Sequence, residues 1–272
     1  MKDVNGKLIL ITGGASGIGR LMALTLARKG GRLVVWDLNG HAIKALAAEA
    51  AAEGISVTGM VCDISDRAAV YRRAKALIKK YGPVDILINN AGVVTGKPLL
   101  QLPDEKIEKT MQVNVLPLFW LAKAFLPAMI ERNSGHIVTI SSAGGLIGVR
   151  GLADYCTGKF GAVGFDESLR MELRHIKSSV KTTIVCPFFI NTGMFEGVKT
   201  RIPLLLPILK SDYAVKKIVS AILKNKKRLI IPPFAGSVLF FRMFPVAVMD
   251  TLSDFFGLSN AMDNFSGNIS KK

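Results

Sequence analysis

The sequence predicts an α/β fold in which helices cover both faces of a doubly wound parallel sheet of about seven strands. The main observation is that short, continuously apolar, β-branched runs alternate with longer helical segments over the first 190 residues. Strands buried on both faces have this pattern, because helices on either side leave neither face in water. With 272 residues, half of them hydrophobic, the chain has material for a large core, and a disordered protein is excluded.

The individual elements follow from local composition. β-branched and aliphatic runs predict strands, and apolar residues spaced three or four apart predict helices. Strands are expected at 7–12, 32–36, 55–61, 84–88, 136–140 and 181–186. Helices are expected at 18–29, 41–53, 67–81, 104–132 and 155–176.

The alternation loosens after Thr192. An apolar, proline-bounded segment (PLLLPIL, 203–209) precedes an amphipathic helix at 212–224 and a last strand at 228–231. No Pro/Gly/Ser-rich linker interrupts the chain, so residues 1–272 are interpreted as one domain. Ligands of such folds bind beyond the carboxyl ends of the strands, so 193–272 is expected to carry a substrate loop and a small C-terminal lid or extension.

The sequence shows neither a signal peptide nor a membrane-spanning pattern. An apolar strand begins by Leu8, which leaves no room for a signal peptide before it. The late apolar stretch 229–249 contains Arg242 and three prolines, so it is not expected to span a membrane. Three cysteines at no metal-ligand spacing predict neither a disulfide framework nor a metal site. We expect a cytoplasmic protein that is not secreted.

A glycine-rich turn follows the first strand and opens the next helix, with the sequence TGGASGIG. Gly13, Gly17 and Gly19 allow a sharp turn and a close approach of a pyrophosphate to the helix N-terminus, where Ser16 and Ile18 also lie. Between a strand and a helix this motif indicates a dinucleotide site of the Rossmann type. The alternative is a tight strand-to-helix turn with no ligand.

Asp37 closes the second predicted strand. A carboxylate here accepts hydrogen bonds from the adenosine ribose hydroxyls and repels a 2′-phosphate. The next basic residue is Lys44, and position 16 is serine. NAD is therefore favoured over NADP. The alternative is that Asp37 caps the helix beginning near His41.

Tyr155 and Lys159 stand four residues apart at the start of a helix, so they lie on one helical face. A phenol has an ordinary pKa of about 10. A neighbouring ammonium group and an oxidised nicotinamide both favour the phenolate, which makes Tyr155 a credible general base towards an alcohol. Ser142 follows the strand at 136–140, and Asn114 lies in the preceding helix.

Together these motifs resemble the short-chain dehydrogenase/reductase family. The matching features are TGGASGIG, Asp63, NNAG (89–92), Asn114, Ser142, YCTGK (155–159), Pro187 and Thr192. They cover residues 7–192 in the family's order and spacing, and the resemblance implies a Rossmann-type fold and alcohol dehydrogenase or carbonyl reductase chemistry.

The resemblance also implies a role for each matching residue. Tyr155 would be the acid/base, Lys159 would hold the nicotinamide ribose, Ser142 would bind the substrate oxygen, and Asn114 would hold a proton-relaying water. Further cofactor contacts are implied for Asp63, Ile64, Asn90, Pro187, Ile190 and Thr192, in addition to the glycine-rich turn and Asp37.

One feature departs from the family pattern. Glycine usually follows the proline of the last motif, whereas this chain has Phe188 and Phe189. Together with Met194, Phe195 and the apolar segment 203–209, they predict an apolar pocket. The surrounding sequence resembles the branch of epidermal and microsomal retinol dehydrogenases and 17-beta-hydroxysteroid dehydrogenases of types 11 and 13, which implies a lipophilic alcohol such as a retinol or hydroxysteroid. Two alternatives remain, a carbonyl reductase for steroids or fatty aldehydes and a cofactor-bound regulatory protein with idle chemistry.

The formal net charge is +16, and residues 197–228 contribute nine basic residues against one acid. Next to apolar segments, this predicts peripheral binding to anionic lipid, on the endoplasmic reticulum or a lipid droplet. The alternative is a solvated basic face beside a subunit interface or lid. Nucleic acid is not expected, because no nucleic-acid-binding motif is present. The resemblance implies a homodimer or homotetramer that pairs through the helices around Asn114 and Tyr155.

Overall fold

The computed structural model describes residues 3–267. Its strands are β1 (Leu8–Thr12), β2 (Arg32–Asp37), β3 (Val57–Val61), β4 (Ile86–Asn89), β5 (His136–Ile140), β6 (Lys181–Pro187), β7 (Ile190–Asn191), β8 (Leu209–Lys210) and β9 (Arg228–Ile231). Seven of them form one parallel sheet in the order β3-β2-β1-β4-β5-β6-β9, and β7 pairs with β8 in a small second sheet. The predicted doubly wound parallel fold is confirmed.

The helices are α1 (Gly17–Ala27), α2 (Gly40–Ala52), α3 (Arg67–Tyr81), α4 (Asp104–Asn114), α5 (Leu116–Glu131), α6 (Ala153–His175), α7 (Ser211–Leu223), α8 (Val238–Phe241) and α9 (Val246–Phe255). They divide between the two faces of the sheet. Contacts join α1 to α7 on one face, and α3 to α5 and α4 to α6 on the other.

The side chains of β1 alternate between the two halves of the core. Ile9 and Ile11 belong to a cluster with α1 and α7, whereas Leu8 and Leu10 pack with the helices of the opposite face. All four are at most 2% exposed. Each fully buried side chain of this size contributes about 1.5–3 kcal/mol, so a strand buried on both faces anchors the sheet at its centre.

The helix predicted at 104–132 is interrupted in the structure. Val115, with φ −120°, separates α4 from α5, and Pro117 is the second residue of α5. Proline lacks the N–H that would bond to the Val113 carbonyl oxygen in a continuous helix, and its ring clashes with that carbonyl group. The span Asp104–Glu131 is long and apolar enough to cross a membrane by length and composition alone, yet side chains such as Phe125 and Met129 pack in the core below the sheet.

Beyond β9 the chain covers the carboxyl end of β6. Short turns lead into α8 and α9, in which no residue is fully buried. We call residues 192–208, between β7 and β8, the substrate loop. This loop, α8 and α9 enclose the end of the sheet at which the functional side chains gather.

Candidate active site

The glycine-rich turn between β1 and α1 is shaped to receive an anion. Gly13 and Gly17 have φ of +60° and +51°. A Cβ on Gly19 would lie 2.1 Å from the Gly13 carbonyl oxygen, so only glycine fits there. The first turn of α1 contains no acidic residue, and Ser16 makes no side-chain capping bond. The backbone N–H groups at the N-terminus of α1 and the helix dipole are therefore available to a pyrophosphate, and the turn fits a dinucleotide.

One cleft, enclosing about 1650 Å³ of empty space open to solvent, runs from this turn across the ends of the strands. It brings together every residue expected to contact a cofactor. They are Gly13, Ser16, Gly17, Ile18, Gly19, Asp37, Asp63, Ile64, Asn90, Tyr155, Lys159, Pro187, Ile190 and Thr192.

Asp37, at the end of β2, does not cap α2. Its Oδ2 accepts a hydrogen bond from the N–H of Ala15 at 3.0 Å, and its Oδ1 accepts one from the N–H of Asn39. The residue that caps α2 is Asn39, whose side chain accepts from the N–H of Ala42. Asp37 thus fixes the glycine-rich turn while it lines the cleft.

Asn90 follows β4 and ties it to the glycine-rich turn. Its Nδ2 donates to the carbonyl oxygens of Thr12 at 3.0 Å and Gly13 at 2.9 Å. The side chain therefore supports the loop in addition to lining the cleft. Burial disfavours the charge of Asp63, but the hydroxyl and N–H of Ser65 and the ammonium of Lys109 hold the pKa of that carboxyl below its usual value.

Tyr155 and Lys159 lie in the first two turns of α6, facing the end of β5. The Lys159 Nζ donates to the Ile140 carbonyl oxygen at 2.9 Å and lies 5.6 Å from the centroid of the Tyr155 ring. Ser141 donates its hydroxyl to the Lys159 carbonyl oxygen at 2.8 Å, which fixes the helix against the strand. Ser142 accepts a hydrogen bond from the N–H of Gly144, and its hydroxyl faces the phenol.

Burial dominates the electrostatics of this pair. It raises the pKa of the Tyr155 phenol above its usual value, and the Ser142 hydroxyl only partly offsets this. It also lowers the pKa of Lys159 to about 8. Without a further positive charge Tyr155 is therefore a neutral phenol. The lower pKa that the sequence predicts for the Tyr155 phenol therefore needs the positive charge of an oxidised nicotinamide in addition to that of Lys159.

Asn114, at the end of α4, is anchored to the loop after β4. Its Oδ1 accepts from the N–H of Val93 at 2.9 Å, and its Nδ2 donates to the carbonyl oxygen of Val93 at 3.0 Å. A Cβ on Gly92 would lie 3.3 Å from Asn114 Oδ1 and 3.4 Å from Lys159 Nζ. The amide and the ammonium group therefore border the same small space, where a water could bridge them.

An apolar cavity adjoins the cofactor cleft. It encloses about 770 Å³ of empty space, counting the part open to solvent. Ser142, Tyr155 and Phe188 border both spaces, and Phe189 lines the cavity. The expected substrate residues Met194 and Phe195 line the cofactor cleft instead, because the substrate loop folds back over Tyr155.

Sequence reasoning missed most of the cavity wall. Leu206, from the apolar segment 203–209, also lines the cavity. The additional lining side chains include Ile147, Val149, Leu152, Phe234, Val238, Phe241, Met249, Leu252, Phe256 and Leu258. The apolar composition of these segments could have indicated a cavity wall. Their convergence, however, depends on how α8 and α9 fold back across the end of the sheet.

Comparison with known proteins agrees with this geometry. The profile described as short chain dehydrogenase matches residues 7–202. The chain belongs to the short-chain dehydrogenase family. Epidermal retinol dehydrogenase 2 of Mus musculus is 48% identical over 275 residues, covering 99% of this chain and 88% of that protein. The Homo sapiens protein of the same name is 49% identical, covering 97% and 86%. Retinol dehydrogenase 10 of Rattus norvegicus is 42% identical, with the same coverage.

Solved structures of the family share the fold. A short-chain dehydrogenase/reductase from Burkholderia phymatum in complex with NAD has a TM-score of 0.77 and 25% identity, covering 96% of this chain and 98% of that one. A metagenomic short-chain oxidoreductase in complex with NADP has a TM-score of 0.70 and 26% identity, covering 84% and 96%. This chain is therefore a short-chain oxidoreductase related to the retinol dehydrogenases, in a family that uses nicotinamide cofactors.

Proposed function

We propose that this enzyme oxidises a lipophilic alcohol, of the retinol or hydroxysteroid kind, to its carbonyl with NAD. The observation that carries the proposal is the meeting of the cofactor cleft and the apolar cavity at Ser142 and Tyr155. A hydroxyl at that junction lies beside the proposed acid/base, and its apolar body occupies the cavity. The retinol dehydrogenases among the relatives support the same substrate class.

The proposed mechanism transfers one hydride and one proton. Ser142 donates a hydrogen bond to the substrate oxygen, and Tyr155 removes the hydroxyl proton as the carbon–oxygen double bond forms. Lys159 supplies positive charge beside the phenolate, and a water at Asn114 carries the proton away. The residues of the cofactor cleft would hold the nicotinamide cofactor, which when bound would supply the acceptor for the hydride that leaves the carbon. Apolar walls keep bulk water from the reacting atoms.

The preference for NAD is supported by the acidic end of β2. The Asp37 carboxylate repels a 2′-phosphate, and position 16 in the glycine-rich turn is serine and not a basic residue. The other cofactor contacts proposed are the cleft residues named above. We further propose that the chain works as one domain, in which 193–272 provide the substrate loop and C-terminal extension.

The direct test is NADH formation from NAD, with NADP in parallel, using detergent-dispersed all-trans-retinol, estradiol and a long-chain alcohol. Turnover of at least one alcohol with NAD, abolished in Tyr155→Phe, is expected. Activity only in the direction of carbonyl reduction would reverse the assignment. Equal turnover in Tyr155→Phe would refute the catalytic role, and a preference for NADP would refute the argument from Asp37.

We also propose that the enzyme sits peripherally on a membrane or lipid-droplet surface of the cytoplasm. Of the basic residues of 197–228, Lys216 and Lys217 are exposed on α7, which packs against α1. Arg201 of the substrate loop lies 5.7 Å from the centroid of the Phe255 ring of α9. The exposed apolar side chains of Phe240, Met243 and Val246 are the best candidates for contact with the lipid. Flotation with anionic and neutral vesicles tests the idea; no binding to either would refute it.

A homodimer or homotetramer is the assembly we propose. The exposed apolar side chains Leu116 and Phe119 of α5 and Met171 of α6 support pairing on that face of the molecule. Sedimentation of the wild type and of Phe119→Glu tests this. A wild-type monomer would refute it.

A further inference from the structure

Residues 259–267, here called the C-terminal segment, join three loops around the active site. The N–H groups of Ser266 and Gly267 donate to the Glu196 carbonyl oxygen at 3.0 and 3.4 Å. On the opposite side, Arg150 in the loop before α6 donates to the Ser259 carbonyl oxygen and pairs with Asp263. The segment therefore links the substrate loop to the loop that leads into α6.

Two glycines are needed where these loops meet the segment. Gly197 has φ +86°, and a Cβ there would lie 1.9 Å from the Asn264 carbonyl oxygen. Gly96, in the loop after β4, has φ +72°, and its Cβ would lie 2.1 Å from the Phe265 ring. A left-handed backbone and the lack of a side chain permit this approach, and no other residue type would allow both. The contact is thus specific to the folded arrangement.

Phe265 connects the segment to the proposed acid/base through one intermediate ring. Its centroid lies 6.4 Å from that of Phe195, which in turn stands edge-on to Tyr155 at 5.6 Å and 82°. Phe189 packs on the same Phe195 ring at 5.1 Å. Offset and edge-to-face aromatic contacts at these distances are attractive. Phe195 is therefore held between the cavity wall, the phenol and Phe265.

We propose that Phe265 is a positioning residue, which holds Phe195 and the substrate loop closed over Tyr155. Phe265 lines neither the cofactor cleft nor the apolar cavity, so it acts through Phe195. Removing its ring leaves a void behind Phe195, so the loop opens and water reaches the phenol. This inference rests on the proposed alcohol oxidation for its kinetic readouts, but the closure of the loop can be measured without any substrate.

The test compares Phe265→Ala with Asn264→Ala, a substitution one residue away at an exposed side chain. For Phe265→Ala we expect kcat/KM for the alcohol to fall about tenfold, which corresponds to ~1.4 kcal/mol of lost aromatic packing. The pH profile of kcat should also move to lower pH, because a less buried phenol ionises more readily. Asn264→Ala should keep the wild-type values, and Phe265→Leu should restore part of the loss.

Two further measurements keep the proposal falsifiable. Hydrogen exchange of the Val198 and Lys199 amides should accelerate about tenfold in Phe265→Ala, without substrate and at unchanged circular dichroism. Gly197→Ala, which displaces the segment from the loop side, should give the same kinetic change. If Phe265→Ala matches the wild type in exchange, the proposal is overturned. If exchange changes as expected but no alcohol is oxidised by the wild type, the proposed function fails and the positioning role stands.

Discussion

Asp166, on α6, is a buried carboxyl group whose ionisation the fold opposes. It is 1% exposed, and neither carboxyl oxygen has a hydrogen-bond partner within residues 3–267. The Thr182 hydroxyl on β6 also lacks a partner there. Burial raises the pKa of Asp166 from 3.8 to about 6, and the positive charges of Arg170 and Arg228 offset only part of that rise. We predict that Asp166→Asn stabilises the protein at neutral pH.

The magnitude follows from linkage between protonation and folding. Between pH 3.8 and 6 the folded state binds more protons at Asp166 than the unfolded chain, so the stability contributed by this group is lost as the pH rises through that window. At 1.36 kcal/mol per pKa unit, the ionised carboxylate costs about 3 kcal/mol at pH 7.5. An amide of the same shape avoids that cost. We expect a gain of about 2 kcal/mol, or a rise in Tm of about 4–8 °C.

The assay is urea and thermal denaturation at pH 7.5 and pH 4, at fixed protein concentration. Asp166→Asn should be more stable than the wild type at pH 7.5, and the difference should vanish at pH 4. Glu167→Gln is the matched control, because Glu167 is a partly exposed carboxylate on the same helix paired with Arg228. Its effect should stay within about 1 kcal/mol. A difference for Asp166→Asn that is equal at both pH values, or a loss of stability at pH 7.5, would refute the reasoning.

Three further results are expected. His136 is fully buried, and burial lowers its pKa to about 4. The free energy of unfolding should therefore fall by ~3 kcal/mol as the pH drops from 6.5 towards 4. Measuring this free energy against pH in the wild type and in His136→Gln tests the prediction, and the same pH dependence in both proteins would contradict it. Gly19→Ala should weaken binding of the nicotinamide cofactor at least tenfold, measured by fluorescence titration, because the new Cβ would meet the Gly13 carbonyl oxygen. Gly164→Ala is the control; the space around its Cβ is open, so this variant should bind the cofactor like the wild type. Asp37→Ser should shift the ratio of kcat/KM values towards NADP about tenfold, and an unchanged ratio would show that the carboxylate does not select the cofactor.

The sequence by itself determined the fold class and the composition of the cofactor cleft. Both depend on local patterns. Buried β-branched strands alternate with helices, and the glycine-rich turn, Asp37 and Asn90 each stand at the carboxyl end of a strand or in the turn after it. In a parallel sheet those ends meet at one edge. Gly13, Asp37 and Asn90 therefore had to converge, although they lie far apart in sequence.

Only the tertiary structure decided the walls of the apolar cavity and the electrostatics of Tyr155, the proposed acid/base. The cavity depends on α8 and α9 folding back across the end of β6, and no local pattern specifies that return. Met194 and Phe195 line the cofactor cleft and not the expected pocket, because the substrate loop folds back over Tyr155. The raised pKa of Tyr155 comes from burial by elements distant in sequence, including Phe195 and, behind it, Phe265. Spacing along the chain fixes which groups can meet, whereas desolvation depends on everything packed around them.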